Sequence, residues 1–455
     1  MSGVGFERLR DMKDDFDKAM LVLETCDAPD KTLMVTKDEF LARQKKVAGE
    51  LAKVGIPVGF VFSDENYAGD VPYLGGNINC AVEQCGGAIG NGGFVISAGL
   101  EGGYVAEQLA GRAGAKVRKV QMFQLADEEY PVEATRLEDV LAEAAGSKKI
   151  DKIGLLSPRQ VVPAAVVNFL EKLVGKENVV DVQEIYYRTK YEKSDMEMAL
   201  TRDACKISDA MVRAMAAVAR PGVLESQLAA WGAFVGHELG AEGWGFPIIA
   251  GTGEANRTLI GRALNRVIQE GDWVHVGAGP KRDGLSSCCR RSFIAVDDPS
   301  KVTDDQKYWF NLVEGGYRAG YEAFVKAAQK GFPAKVVEQA LVDYFASYSD
   351  EVSARIGRRV ELEKQKPYTG VHNSGYTEAQ EFYGAITLHS EQPLGHQIVN
   401  MLDLALRGVC NYWDDVIIPG FDFMVVENTF GKFGTRVECF NKVPINIQHL
   451  VGKAE

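Results

Sequence analysis

Residues 271–293, GDWVHVGAGPKRDGLSSCCRRSF, are the stretch that leaves this chain the least choice of local structure. Trp273, His275 and Gly277 alternate with Val274, Val276 and Ala278, and a period of two is that of a strand with two unlike faces. Gly279-Pro280 and Asp283-Gly284 follow as turn signals, since proline fixes φ and glycine accepts positive φ. A second strand over residues 285–296 is expected to pair back and complete a hairpin. Neighbours along a strand point to opposite faces, so no disulfide is expected between Cys288 and Cys289.

The 455 residues exceed what one core supports, because single cores stop growing at roughly 250–300 residues. Two large domains are therefore expected. A formal charge of −12 argues against broad binding to nucleic acid or to anionic membrane. No apolar run approaches the ~18 residues of a membrane span, and MSGVGFERLRDMKDD lacks an apolar signal core, so a cytoplasmic protein is expected. The eight cysteines are scattered and form no C-x-x-C pair, which suits reduced thiols better than a disulfide framework or a zinc finger.

Before the hairpin, Thr36-Lys-Asp-Glu39 is a capping box and opens a helix expected over 37–53, with Phe40, Leu41, Val47 and Leu51 on one side. Short apolar runs at 58–62, 94–97, 117–122 and 153–157 alternate with helical patterns at 100–113, 137–145 and 164–173, an α/β order. The glycine-rich run 86–93 lacks a Walker lysine and reads as a turn between strands. A long helix follows Ser194-Asp-Met-Glu197 and stops at Pro221-Gly222, with Met196, Met211 and Met215 read as core. Helices are also expected at 304–330 and 335–347.

This order resembles that of the creatinase, prolidase and methionine aminopeptidase family, whose catalytic domain has the pita-bread fold. The family's hairpin reads GD-x-x-x-x-D-x-G, a turn, then S-D-x-T-R-T-F. Here Gly271-Asp272, Gly279, Gly284, Ser287, Arg291 and Phe293 match it. Its two aspartates lie eleven positions apart and fall on Gly277 and Cys288, since 277 plus 11 gives 288. Tyr187-Arg-Thr-Lys190 resembles the family's domain junction, Tyr73-Leu-Gly-Gly-Asn77 a segment of its amino-terminal domain, and Met424-Val-Val-Glu427 and Gly434-Thr-Arg-Val-Glu438 its two glutamate strands. The resemblance implies an α/β amino-terminal domain over 1–186 and an α+β pita-bread domain over 187–455. It also implies a homodimer.

Carried over residue by residue, the family's ligand set becomes Cys288, a histidine, Glu427 and Glu438, while Gly277 removes a carboxylate and Ile260 stands where a catalytic histidine is expected. A binuclear centre is not expected. A Cys/His/Glu/Glu set is chemically acceptable to one zinc, iron or manganese ion, and Cys288 reads equally as a small buried residue in a metal-free site. The histidine is His372, which fits an H-x-x-G signature, or His396, which fits the spacing to Glu427 better: 427 minus 396 is 31, and 427 minus 372 is 55. His275 lies on the face of Gly277 and could turn an imidazole toward it. Arg290, with Arg291 beside it, suits a carboxylate or other planar anion through a bidentate fork, or else is an exposed charge on the outer strand face.

Three functions follow from these residues. A creatinase-like hydrolase cleaving a C–N bond of a small, anionic molecule would use metal-bound water with Glu427 or Glu438, or Cys288 as nucleophile with the histidine as base. A lyase on the same fold and a binding protein without turnover are the alternatives. Relatives of the last kind carry long charged extensions, whereas this chain ends soon after Glu438. Ordinary aminopeptidase activity is disfavoured by Gly277, Cys288 and Ile260.

Overall fold

In a computed structural model, residues 6–76, 78, 83–125, 133–378 and 384–454 are described. They form two compact units, one of Met1–Thr32, Lys193–Ser374 and Gly384–Glu455, the other of Leu33–Glu192 with Gly375–Tyr383. The first helix, Phe6–Thr25, belongs to the former: Ala19 and Val22 join its core, and Asp15 pairs with Arg220 at 2.6 Å. A single cut at 186/187 does not provide for that.

The 33–192 unit is α/β, as its alternating pattern implies. Its helix spans Lys37–Lys53, and Thr36 caps it by accepting from the Glu39 amide at 3.3 Å. The other half of the capping box is missing because the Glu39 carboxylate turns to Arg43. Six strands form one mixed sheet among the described residues, in the order Lys116–Lys119, Gly93–Ala98, Cys85–Gly90, Val58–Ser63, Ile153–Leu155, Val179–Asp181. Most of the glycine-rich run is therefore strand and not turn; only Asn91-Gly92 links it to the next strand. The reason is steric, since a Cβ at Gly86 would stand 2.6 Å from the Phe60 ring, and one at Gly87 would meet Phe94 closer still. Asn77, the end of the resembling segment, lies outside the described residues. Lys190 is buried against Asp70 at 2.6 Å, so that position serves an internal ion pair.

The larger unit is built on a seven-stranded antiparallel sheet, ordered Val371–Asn373, Gln397–Arg407, Phe423–Phe433, Cys289–Ile294, Trp273–Ala278, Ile249–Thr252, with Arg436–Cys439 added beside Phe423–Phe433. The expected hairpin forms, with its tip at Asp283 (φ 47°) and Gly284 (φ 80°). Two long helices, Asp195–Val218 and Asp304–Lys330, cover one face of this sheet. Ser194 and Glu197 close the capping box of the first. Val274, Val276, Ala278, Cys289 and Phe293 share its core with Met211 and Met215; Met198, not Met196, is the buried methionine of its first turns. The second helix meets the same face through Tyr317, whose hydroxyl accepts from Asn428, and through Gly316 against Leu404. Alternation then leaves residues of the other parity on the opposite face.

Candidate active site

One cross-strand row of that opposite face carries the site. Gly277 pairs with Arg290, Arg290 with Glu427, and Glu427 with Asp403, on four consecutive strands. His372 pairs with Met401, two residues from Asp403, and so faces the same way, as do His275 and Cys288 at two residues from Gly277 and Arg290. Sheet register alone thus assembles a cluster from residues far apart in sequence.

Arg290 is its centre, with only 4% of its surface exposed. Nε donates to His275 Nε2 at 3.0 Å. Nη1 donates to Asp403 Oδ2 at 3.0 Å and the Tyr368 hydroxyl at 3.2 Å, and stands 3.5 Å from Glu427 Oε2. Nη2 donates to the Leu259 carbonyl at 2.7 Å. Leu259 itself holds φ 65°, a conformation costly for a branched side chain, and its carbonyl is thereby committed to the guanidinium.

The electrostatics divide the two carboxylates. Burial and the charge of Glu427 push Asp403 up to about 7, against the pull of Arg290. Burial also opposes the charge of Glu427, but His372, Arg290 and the Cys288 thiol outweigh it and hold Glu427 below its ordinary range. Two like charges this close cannot both persist cheaply, so one proton is retained, on Asp403. Burial, then the charge of Arg290, pushes His275 well below its ordinary value, which leaves the neutral ring needed to accept from Nε. Burial pushes the Tyr368 phenol up, and it donates to Asp403 Oδ1 at 3.1 Å. His372, at the accessible edge, has Nδ1 3.1 Å from the Asn373 carbonyl and Nε2 3.6 Å from Glu427 Oε1. A carbonyl only accepts, so Nδ1 carries its proton, and Nε2 is turned toward the Glu427 carboxylate.

Several sequence expectations change here. Glu438 does not join the cluster: Arg202 takes both of its oxygens, at 2.9 and 3.1 Å, and Arg436 adds a contact at 3.2 Å. His396 is exposed at the start of the Gln397–Arg407 strand, seven residues from Asp403 and hence roughly 23 Å along it; its carbonyl accepts from the Gly434 amide. Of the two histidines, His372 is the one beside Glu427. Arg291 faces the other way and binds no outside anion, because it donates to the Pro444, Arg290, Glu427 and Val443 carbonyls and to Asn428, all at 2.7–2.9 Å. Arg290 is neither exposed nor free, since Asp403 and Glu427 meet its charge. Cys288 is fully buried, with its amide donating to the Thr429 hydroxyl at 2.9 Å. Asp403, Tyr368 and Leu259 are members that sequence reasoning missed.

His372, Asp403 and Glu427 offer donor atoms within 4.8 Å of one another, a spacing that could hold a metal ion. The two carboxylates, however, are already turned to a cation. An ion ~2 Å from the Asp403 oxygen would stand within roughly 5 Å of Nη1, where each pair of like unit charges costs about 3 kcal/mol or more at an effective dielectric of about 20. With Arg290 in place, the set does not fit a resident divalent ion.

A sheet flanked by helices on one face and bearing convergent His, Asp and Glu side chains on the other is the pita-bread fold. Residues 199–385 match the model of metallopeptidase family M24. The chain's fold is similar to that of the X-Pro aminopeptidase from Thermotoga maritima MSB8, at 16% identity and a TM-score of 0.69, covering 89% of this chain and 98% of that one. The prolidase from Pyrococcus horikoshii OT3 gives 16% and 0.66 over 89% and 99%. The dipeptidase PepE from Mycobacterium ulcerans gives 18% and 0.64 over 90% and 98%. No curated protein matches the sequence. No helix among the described residues is long and apolar enough to cross a membrane.

Proposed function

We propose that this chain is a divergent, creatinase-like hydrolase that cleaves a C–N bond of a small molecule without a resident metal, using residues 187–455 as its catalytic domain and acting as a homodimer. The observation that carries this reading is the facing pair of carboxylates, Asp403 with its proton affinity raised to about 7 and Glu427 with its own lowered. Separated proton affinities in one site are what acid–base catalysis requires. In this scheme a water attacks the substrate carbon while the ionised Glu427 carboxylate, beside His372, accepts its proton. Asp403 then protonates the leaving nitrogen as the C–N bond breaks. Cys288 is assigned a positioning role beside Glu427. An anionic substrate is no longer supported by Arg290, whose charge is met internally.

The test is turnover of a panel of guanidino acids, small amides and Xaa-Pro dipeptides by full-length protein in excess chelator. Hydrolysis that survives chelation and is lost in Glu427→Gln supports the reading. Hydrolysis of the dipeptides only on adding a divalent metal contradicts it. The internally balanced guanidinium also favours a second reading, a binding protein without turnover. A folded protein inert across the panel with and without metal selects that reading.

A further inference from the structure

We infer that Arg290 is a built-in replacement for a metal cation, given room by the glycine at position 277. The inference rests on the site's geometry and on no particular reaction.

The first observation is spatial. Gly277 and Arg290 are register partners, and a Cβ at 277 would stand 3.0 Å from Arg290 Cγ and 3.2 Å from Ile249 Cδ1. An acidic side chain at 277 and an arginine stem at 290 therefore compete for the same volume. The glycine is what lets the guanidinium lie across the sheet to Asp403.

The second is chemical. His372, Asp403 and Glu427 form a group with the donor types and spacing of a metal site, and the positive charge its two carboxylates face is Nη1 of Arg290. That charge is anchored from five segments: His275, Tyr368, the Leu259 carbonyl, Asp403 and Glu427. A planar, permanently charged fork so held keeps the carboxylates in fixed directions, as a bound ion would. Unlike an ion it cannot dissociate, exchange or be chelated. It also offers no open coordination position, so it orients and neutralises but activates no water by ligation.

The experiment is metal uptake by the full-length protein, measured by equilibrium dialysis and elemental analysis with Mn²⁺ and Zn²⁺ separately. Wild type is expected to take up neither ion in a manner sensitive to Glu427→Gln. Arg290→Ser is expected to gain one ion per chain, a gain lost in Arg290→Ser/Glu427→Gln. Arg290→Lys, which keeps the charge, is expected to remain metal-free. Wild-type uptake of one ion abolished by Glu427→Gln overturns the inference, and so does a folded Arg290→Ser that binds none. If Arg290→Ser does not fold, Arg290→Met, which keeps the bulk and removes the charge, takes its place with the same two outcomes.

Discussion

Arg290 and Gly277 face each other across adjacent strands, and the missing side chain of one is the room occupied by the stem of the other. Gly277→Ala is therefore expected to cost about 1 kcal/mol or more by overpacking. The cost should shrink in an Arg290→Ala background, giving a coupling of at least about 0.5 kcal/mol in a double-mutant cycle read by urea unfolding. Additive effects would mean that the two positions do not share space.

Stability should depend on pH through Asp403. Its folded-state value of about 7 lies above its ordinary value of 3.8. The folded chain thus binds the extra proton between these values, and the contribution, complete below 3.8, is lost as pH rises through about 7. Glu427, shifted the other way, contributes above its ordinary value and loses this only as pH falls further. Thermal unfolding of wild type should show this decline between pH 5 and 7, and Asp403→Asn should flatten it. An unchanged slope in the variant would place the titration elsewhere.

Arg291→Met is expected to destabilise the protein by roughly 3 kcal/mol or more, since several buried acceptors lose a charged donor at once. The effect belongs to the fold and not to substrate binding. Urea unfolding checks it, and an unfolding free energy within 1 kcal/mol of wild type would argue that water or a neighbour replaces the guanidinium.

Glu438→Gln should lower stability by at most about 1 kcal/mol, the worth of a partly exposed ion pair. Any turnover found for wild type should survive it. A loss of activity as complete as that of Glu427→Gln would restore Glu438 to the site.

The sequence made the hairpin legible because glycine, proline and aspartate positions constrain backbone shape, and backbone shape sets register. Gly277, Cys288, Glu427 and His372 were singled out by resemblance to the family's motifs, and the strands bring them to one face. Register does not reveal what a side chain bonds to. Glu438 carried the right motif, yet its partner is Arg202, 236 positions earlier in the chain. Arg291 was read beside Arg290 as a contact for a substrate anion, because nothing local shows that five acceptors converge on it. Asp403 did leave a signal: a lone charge inside the apolar run 398–406 must be either paired or costly. Its alignment with Glu427 needed the sheet. The glycines at 86 and 87 were read as a turn because glycine marks two different things, positive φ and the close approach of an aromatic ring, and only packing distinguishes them.

The most direct measurement is anomalous X-ray scattering at the manganese edge from crystals of wild-type protein soaked in Mn²⁺. The account predicts no peak among His372, Asp403 and Glu427, with Arg290 still turned to both carboxylates. A peak ligated by those three residues, with Arg290 displaced, would contradict it.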